Sequence, residues 1–289
     1  MLNRLGRIAR RIVDIPTRKQ LLQRLAALAQ QAANQGTAAP QPSNHSKLDF
    51  RATYAAHVDH VKASATSPDA AMREAIGGEF EAFGAMQRDL LISCGLRPDG
   101  YVIDVGCGSG RLAKPLSAYL TGRYLGIDVV QDLLDYASRL VNRPDWHFAP
   151  APGLTIPSPD SAADIVCFFS VFTHLLHEQS YSYLRDAVRA LKPDGKIVFS
   201  FLEFHIPSHW TVFEHNLTNI GTNCHLNQFM SRDGIQAWAS HLGLKVLALH
   251  DGDKPHIPLR SPITMADGRV VRDLGNFGQS VCVLSRRQD

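Results

Sequence analysis

Val102-Ile-Asp-Val-Gly-Cys-Gly-Ser-Gly-Arg111 is the stretch on which the reading of this chain turns. An apolar run ends in an acid, Asp104, and passes through Gly106, Gly108 and Gly110 into a helical pattern. Glycines at those places let the backbone turn sharply and approach a ligand with no Cβ in the way. In an open α/β sheet the ligand sits beyond the carboxyl ends of the strands, where such a loop falls. A dinucleotide fingerprint, GxGxxG, needs Gly or Ala at the next position but one after Ser109. Arg111 stands there, so that fingerprint fails.

Working outward, Tyr124-Leu-Gly-Ile-Asp128 is a second apolar run ending in an acid, 18 residues after Gly110. A carboxylate at the end of a second strand can accept both hydroxyls of a ribose. The competing reading of the pair is a glycine-rich turn and a helix-capping aspartate. Further strand patterns stand at Tyr101–Val105, Tyr124–Ile127, Trp146–Phe148, Ile165–Phe169 and Lys196–Phe201, with helical patterns at 111–120, 130–141 and 180–191. This alternation predicts a parallel sheet with helices on both faces. Downstream, a helix is expected at 232–242 and a strand at Lys245–Leu249. A turn-rich segment follows at 251–279 with Asp267-Gly268 as a hairpin tip, and Ser280–Leu284 is the last strand.

With these motifs in place, residues 100–204 resemble the core of the class I S-adenosylmethionine-dependent methyltransferases. Motif I of that superfamily matches 102–110, its ribose acid matches Asp128, and its fourth strand matches Asp164–Ser170. Lys192-Pro-Asp-Gly195 resembles the turn before its fifth strand. The resemblance implies a Rossmann-like, doubly wound sheet of seven strands, mostly parallel, closed by a C-terminal antiparallel hairpin from 244–284. It implies S-adenosyl-L-methionine as cofactor, with Asp104 and Gly106 near its methionine end. Gly108 and Gly110 complete the loop, Asp128 meets the ribose, and Ser170 stands beside the cofactor. Many relatives place an acid after the third strand for the adenine amine. Here Ala149-Pro-Ala-Pro-Gly153-Leu154 has proline at that place, which leaves adenine to backbone groups and apolar packing at Gly153 and Leu154.

Methyl transfer to oxygen or nitrogen is an in-line displacement, so the protein must chiefly align two partners and supply a base for a hydroxyl acceptor. Ser170-Val-Phe-Thr-His174 follows the fourth strand, and His174 is the candidate general base. Its place resembles the Glu-His site of ubiquinone-biosynthesis O-methyltransferases. Ser170 and Thr173 stand where metal-binding carboxylates would be, so no catalytic metal is expected. The alternative for His174 is a structural histidine that packs or caps the next helix. Residues 205–230 read as a long irregular connection rich in imidazole and aromatic rings, with His205, His209 and Trp210 as candidate acceptor contacts. A sugar, a glycolipid or another small hydroxyl compound suits such a lid. No Asn-Pro-Pro-Tyr-type motif for base methylation follows the fourth strand, so no nucleic-acid partner is expected. The alternative reading is a methyltransferase or adaptor acting on RNA or protein.

The net charge of +3 is unevenly placed over the 289 residues. Residues 1–33 hold seven basic side chains against one acid, a balance of +6, and the remaining 256 residues come to −3. The body therefore does not read as a nucleic-acid binder. Leu2, Leu5, Ile8, Ile12 and Ile15 form the stripe of an amphipathic helix. Such a helix can lie on an anionic membrane surface, or pack on its own domain or on a second subunit as a homodimer. The organisation expected is a basic helical leader at 1–33, a flexible linker at 34–47 and a helical lead-in at 48–95. The methyltransferase domain then fills 96–289, with its lid-like insertion at 205–230. The five cysteines show no metal-type spacing, and neither a secretory signal nor a membrane span is evident. The expected location is the cytoplasm, peripheral at the inner face of the membrane if the leader binds lipid.

Overall fold

The computed structural model describes residues 49–219 and 226–287; the leader, the linker, Cys224 and His225 lie outside them. Three helices come first: α1 (Phe50–Ser64), α2 (Pro68–Glu74) and α3 (Phe80–Ser93). Side chains of Asp49 and Ser67 cap the first two by accepting from Arg51 N and Ala70 N. The helical lead-in is broken twice, at 65–67 and at 75–79.

The sheet begins with β1 (Tyr101–Val105), followed by α4 (Ala113–Ser117), β2 (Arg123–Asp128), α5 (Gln131–Val141) and β3 (His147–Pro150). Then come β4 (Ala163–Phe168), a 3₁₀ turn at Phe172–His174, α6 (His177–Ala190) and β5 (Leu191–Phe201). A second 3₁₀ turn at Pro207–His209 leads into α7 (Trp210–Thr218), and α8 (Arg232–His241) and β6 (Leu244–His250) follow. Four two-residue strands, β7 (Ile257–Pro258), β8 (Ile263–Thr264), β9 (Val270–Val271) and β10 (Leu274–Gly275), precede β11 (Ser280–Arg286). The main sheet has seven strands in the order β3-β2-β1-β4-β5-β11-β6, with β11 antiparallel to both neighbours and the other pairs parallel.

Alternation of side chains across this sheet builds two apolar layers. Tyr101, Ile103, Val105, Val166, Phe168, Ile197, Phe199, Cys282 and Leu284 point to the face covered by α6 and α8. Val102, Ile165, Cys167, Val198, Val281 and Val283 point to the face covered by α3 and α4. Strand β1 is buried throughout because both faces are covered. Strand order reverses on either side of β1, and in such sheets the crevice opens at that switch point.

Three expectations are corrected. The helix expected at 111–120 is regular only over Ala113–Ser117, where Pro115 supplies no N–H to the ladder. The Lys192–Gly195 turn lies within the span of β5, whose register with β4 shifts between Ala163 and Ile165. The connection at 205–230 is not wholly irregular, since it holds α7. The Asp267-Gly268 tip is as expected: it closes the β8–β9 hairpin, with Gly268 at φ +83°.

Candidate active site

The loop after β1 is shaped by two close approaches. Gly106 has φ +75°, and a Cβ there would lie 2.3 Å from Val171 Cγ2. Gly108 has φ +53°, and a Cβ there would lie 2.6 Å from Ile76 Cγ2. Both line a crevice of about 850 Å³, counting its open mouth and the solvent space in it. Gly110 does something else. It is absent from the crevice wall, and a Cβ there would meet Ala137 Cβ at 3.0 Å, so it lets α5 pack close.

Two carboxylates face this crevice. Asp104, at the end of β1, accepts from the Tyr124 hydroxyl at 2.7 Å, and burial pushes its carboxyl up to about 6. Asp128, at the end of β2, accepts from Val129 N and Val130 N at Oδ1 (2.7 and 3.0 Å) and from Gly108 N at Oδ2 (2.9 Å). Burial raises its pKa against the pull of those three N–H groups. Each carboxylate oxygen has two acceptor sites, so Oδ1 is filled and Oδ2 keeps one. On the crevice side, Asp128 thus offers one open acceptor site at Oδ2.

A second chamber of about 970 Å³ opens beside the first. Tyr54, Ile76, Gln87, Arg111, Ser170 and His174 line both. His57, Glu74, Phe83, Asn227, Phe277 and Gln279 belong to the second chamber alone. Ser170 sits at φ +59°, with its N–H on Ser200 Oγ (2.7 Å) and its hydroxyl on Gln279 Oε1 (3.2 Å). His174 Nδ1 lies 2.7 Å from Leu226 O, and its ring stands 5.6 Å from that of Tyr54. A carbonyl can only accept, so Nδ1 carries the proton and the neutral ring has its lone pair on Nε2.

Thr173 is buried and donates to Ser170 O at 2.9 Å. Among the described residues, Glu203, His205 and Asp251 form one group of metal-type ligands. Their carboxylates are held by Arg232 (2.7 and 2.5 Å) and Lys254 (2.6 Å), which makes the group an ion-pair network.

Several residues singled out in the sequence lie elsewhere. Gly153 and Leu154 are outside the crevice wall, which Ala151 and Tyr183 complete instead; Gly153 O accepts from the Tyr183 hydroxyl at 2.8 Å. The chain turns away after Ala151, whose N–H is tied to Asp128 O. His209 is 2% exposed, and its ring nitrogens contact Glu203 N and O and Gly278 O, so it braces the backbone and is corrected as an acceptor contact. His205 is an exposed neighbour of Glu203. Trp210 packs with Phe204 and Phe213 on the surface. Neither lines the two chambers.

Sequence reasoning missed Tyr54, Gln87, Arg111, Tyr183 and Gln279. Gln87 had a signal, being a polar residue on the apolar stripe of α3 and 2% exposed. In the sequence Arg111 stands out only as the residue that breaks GxGxxG. The others carry no local mark.

A family profile described as a methyltransferase domain matches residues 103–199. A ubiquinone biosynthesis O-methyltransferase of Coxiella burnetii is 25% identical over 154 residues, 51% of this chain and 64% of that protein. The chain thus spans less than two thirds of the curated relatives it matches. A structure of a SAM-dependent methyltransferase of Methanosarcina mazei superposes with TM-score 0.51 at 13% identity, covering 69% of this chain and 98% of the other. The magnesium protoporphyrin IX methyltransferase of Synechocystis PCC 6803, with bound S-adenosylhomocysteine, gives 0.53 at 14% identity, with 82% and 96% covered. The glycine loop without Cβ atoms, the open acceptor site on Asp128 and the adjoining crevice are an environment that an adenosyl amino acid fits. Residues 103–199 thus match a methyltransferase domain, and the chain shares its fold with S-adenosylmethionine-dependent methyltransferases of known structure.

Proposed function

We propose that this protein O-methylates a hydroxyl of a small molecule, a sugar or a glycolipid headgroup by in-line transfer. The observation that carries the reading is that two chambers share one wall, with Ser170 and His174 in it. The cofactor, when bound, supplies a methyl group activated by a sulfonium. The chain's own residues do the rest. Gly106 and Gly108 leave room at the loop, Asp128 Oδ2 accepts from ribose, and Asp104 faces the ammonium end. His174, turned by Leu226 O, takes the acceptor hydroxyl proton at Nε2. Phe83 and Phe277 give the second chamber apolar walls, and Gln87, Asn227 and Gln279 give it polar contacts suited to a hydroxylated ring. The test is incubation with a panel of hydroxylated acceptors, read by mass spectrometry for the gain of one methyl group. Transfer of label to RNA or protein, and to none of the small acceptors, would replace this reading.

No helix of the described residues is long and apolar enough to cross a membrane. The +6 balance of residues 1–33 supports a peripheral contact with anionic lipid, at about 1 kcal/mol per basic side chain near the surface. Co-sedimentation with anionic vesicles should fall with salt and vanish on deleting 1–33. Full-length protein that stays in the supernatant at low salt would end that proposal.

A further inference from the structure

Arg111 follows the glycine loop and is 8% exposed, yet it lines both chambers. Its guanidinium offers five N–H donors. One bond is made: Nη1 donates to Gly77 O at 2.7 Å. No ion pair holds it among the described residues. The charge of the buried Asp104 reaches it, but that carboxylate is engaged by the Tyr124 hydroxyl and the Cys167 thiol. No other Lys or Arg lines either chamber among the described residues.

A buried cation without a carboxylate is costly unless an anion arrives to pair with it. A guanidinium fork matches a carboxylate bidentately. We infer that Arg111 recognises a carboxylate at the junction of the two chambers. This rests on the methyltransferase reading above and names two sources for the group: the amino-acid carboxylate of the cofactor, or an acid on the acceptor. Backbone placement supports the assignment. Gly84 fixes the start of the side chain, since a Cβ there would lie 2.3 Å from Arg111 O and 3.3 Å from its Cγ. Gly77 O holds the far end, so the unbonded N–H groups are presented in one orientation. Burial also lowers the pKa of the guanidinium, the direction expected of a cation that lacks a counter-charge.

The experiment compares wild type, Arg111→Gln and Arg111→Lys by calorimetry with two adenosyl ligands. S-adenosylhomocysteine carries the carboxylate, and 5′-methylthioadenosine lacks the amino-acid end altogether. If the cofactor is the source, Arg111→Gln weakens S-adenosylhomocysteine by on the order of 10- to 100-fold and leaves methylthioadenosine unchanged. Arg111→Lys, which keeps the charge but loses the fork, should fall between. If the acceptor is the source, both adenosyl ligands bind normally and Arg111→Gln abolishes the binding of benzoate to protein saturated with S-adenosylhomocysteine. Equal weakening of both adenosyl ligands would mean a structural role and overturn the inference. So would unchanged binding of all three probes. Wild-type protein that binds neither adenosyl ligand fails the methyltransferase reading as well, a result separate from wild-type binding that Arg111→Gln leaves untouched.

Discussion

The two chambers differ in how they are built. The proposed cofactor side takes Asp104, Gly106, Gly108 and Arg111 from one stretch of chain and Asp128 from the end of the neighbouring strand, and side chains of α1, α3, α6 and the loop after β4 complete its wall. The proposed acceptor side draws nearly all of its side chains from separate places: from α1, from the α2–α3 break, from the loop after β4, from the segment after α7 and from the loop before β11. A ligand held by backbone and strand-end acids needs residues that are close in sequence. A ligand held by side chains can recruit them from anywhere the fold brings together. The first kind of site tolerates little change in its glycines, and the second can alter its specificity by single substitutions far apart in the chain.

The largest expected effect tests the shared wall. His174→Ala should lower turnover by roughly 10²–10⁴ while S-adenosylhomocysteine binds as in wild type. A variant that loses thermal stability but keeps its turnover per folded molecule would make His174 structural, and the functional divide between chambers would disappear.

Asp104 gives the next effect, read in stability. Its carboxyl is raised by burial from 3.8 to about 6. Between those values the unfolded chain has lost the proton while the folded chain keeps it, so stability falls as pH rises through the window. The fall is about 3 kcal/mol in all for the ligand-free protein. Asp104→Asn should flatten urea-derived stability between about pH 4 and 6. An unchanged slope would show that Asp104 is not the buried acid that titrates there. With Asp104 facing the cofactor ammonium as proposed, the bound cation favours the ionised carboxylate, and cofactor affinity in the wild type should tighten over the same rise in pH.

A smaller change is expected at Asp128, where one acceptor site remains for ribose. Asp128→Ala should weaken S-adenosylhomocysteine by about 10-fold or somewhat more, with methylthioadenosine weakened equally, since both carry the ribose. Normal binding of both by the variant would remove Asp128 from the cofactor side.

The smallest effect sharpens where that side ends. Leu154 lies outside the crevice, so Leu154→Ala should change S-adenosylhomocysteine affinity by less than about twofold. A larger loss would place adenine beyond Ala151 and restore Leu154 to the site.

Much of the fold was legible because parallel strands buried on both faces leave near-continuous apolar runs, and the helices between them keep a polar face. Strand β1 matched its expected bounds, and β2, β4 and β11 were located to within two residues at each end. The cofactor loop was legible for a related reason: a positive φ and a close approach both demand glycine, and the demand is local. Even there the sequence could not divide the work among glycines that look alike. Only packing showed that Gly106 and Gly108 face the crevice while Gly110 admits α5. The acceptor side was legible only at Ser170 and His174, which follow a strand directly. His209, with both ring nitrogens turned to backbone, could not be told from an acceptor contact by residue type. Tyr54 and Gln279 are separated by most of the chain and meet only because β11 inserts beside β5 while α1 packs over the loop ends. Local backbone needs are written residue by residue, whereas a side-chain pocket exists only once long-range pairing has closed the sheet.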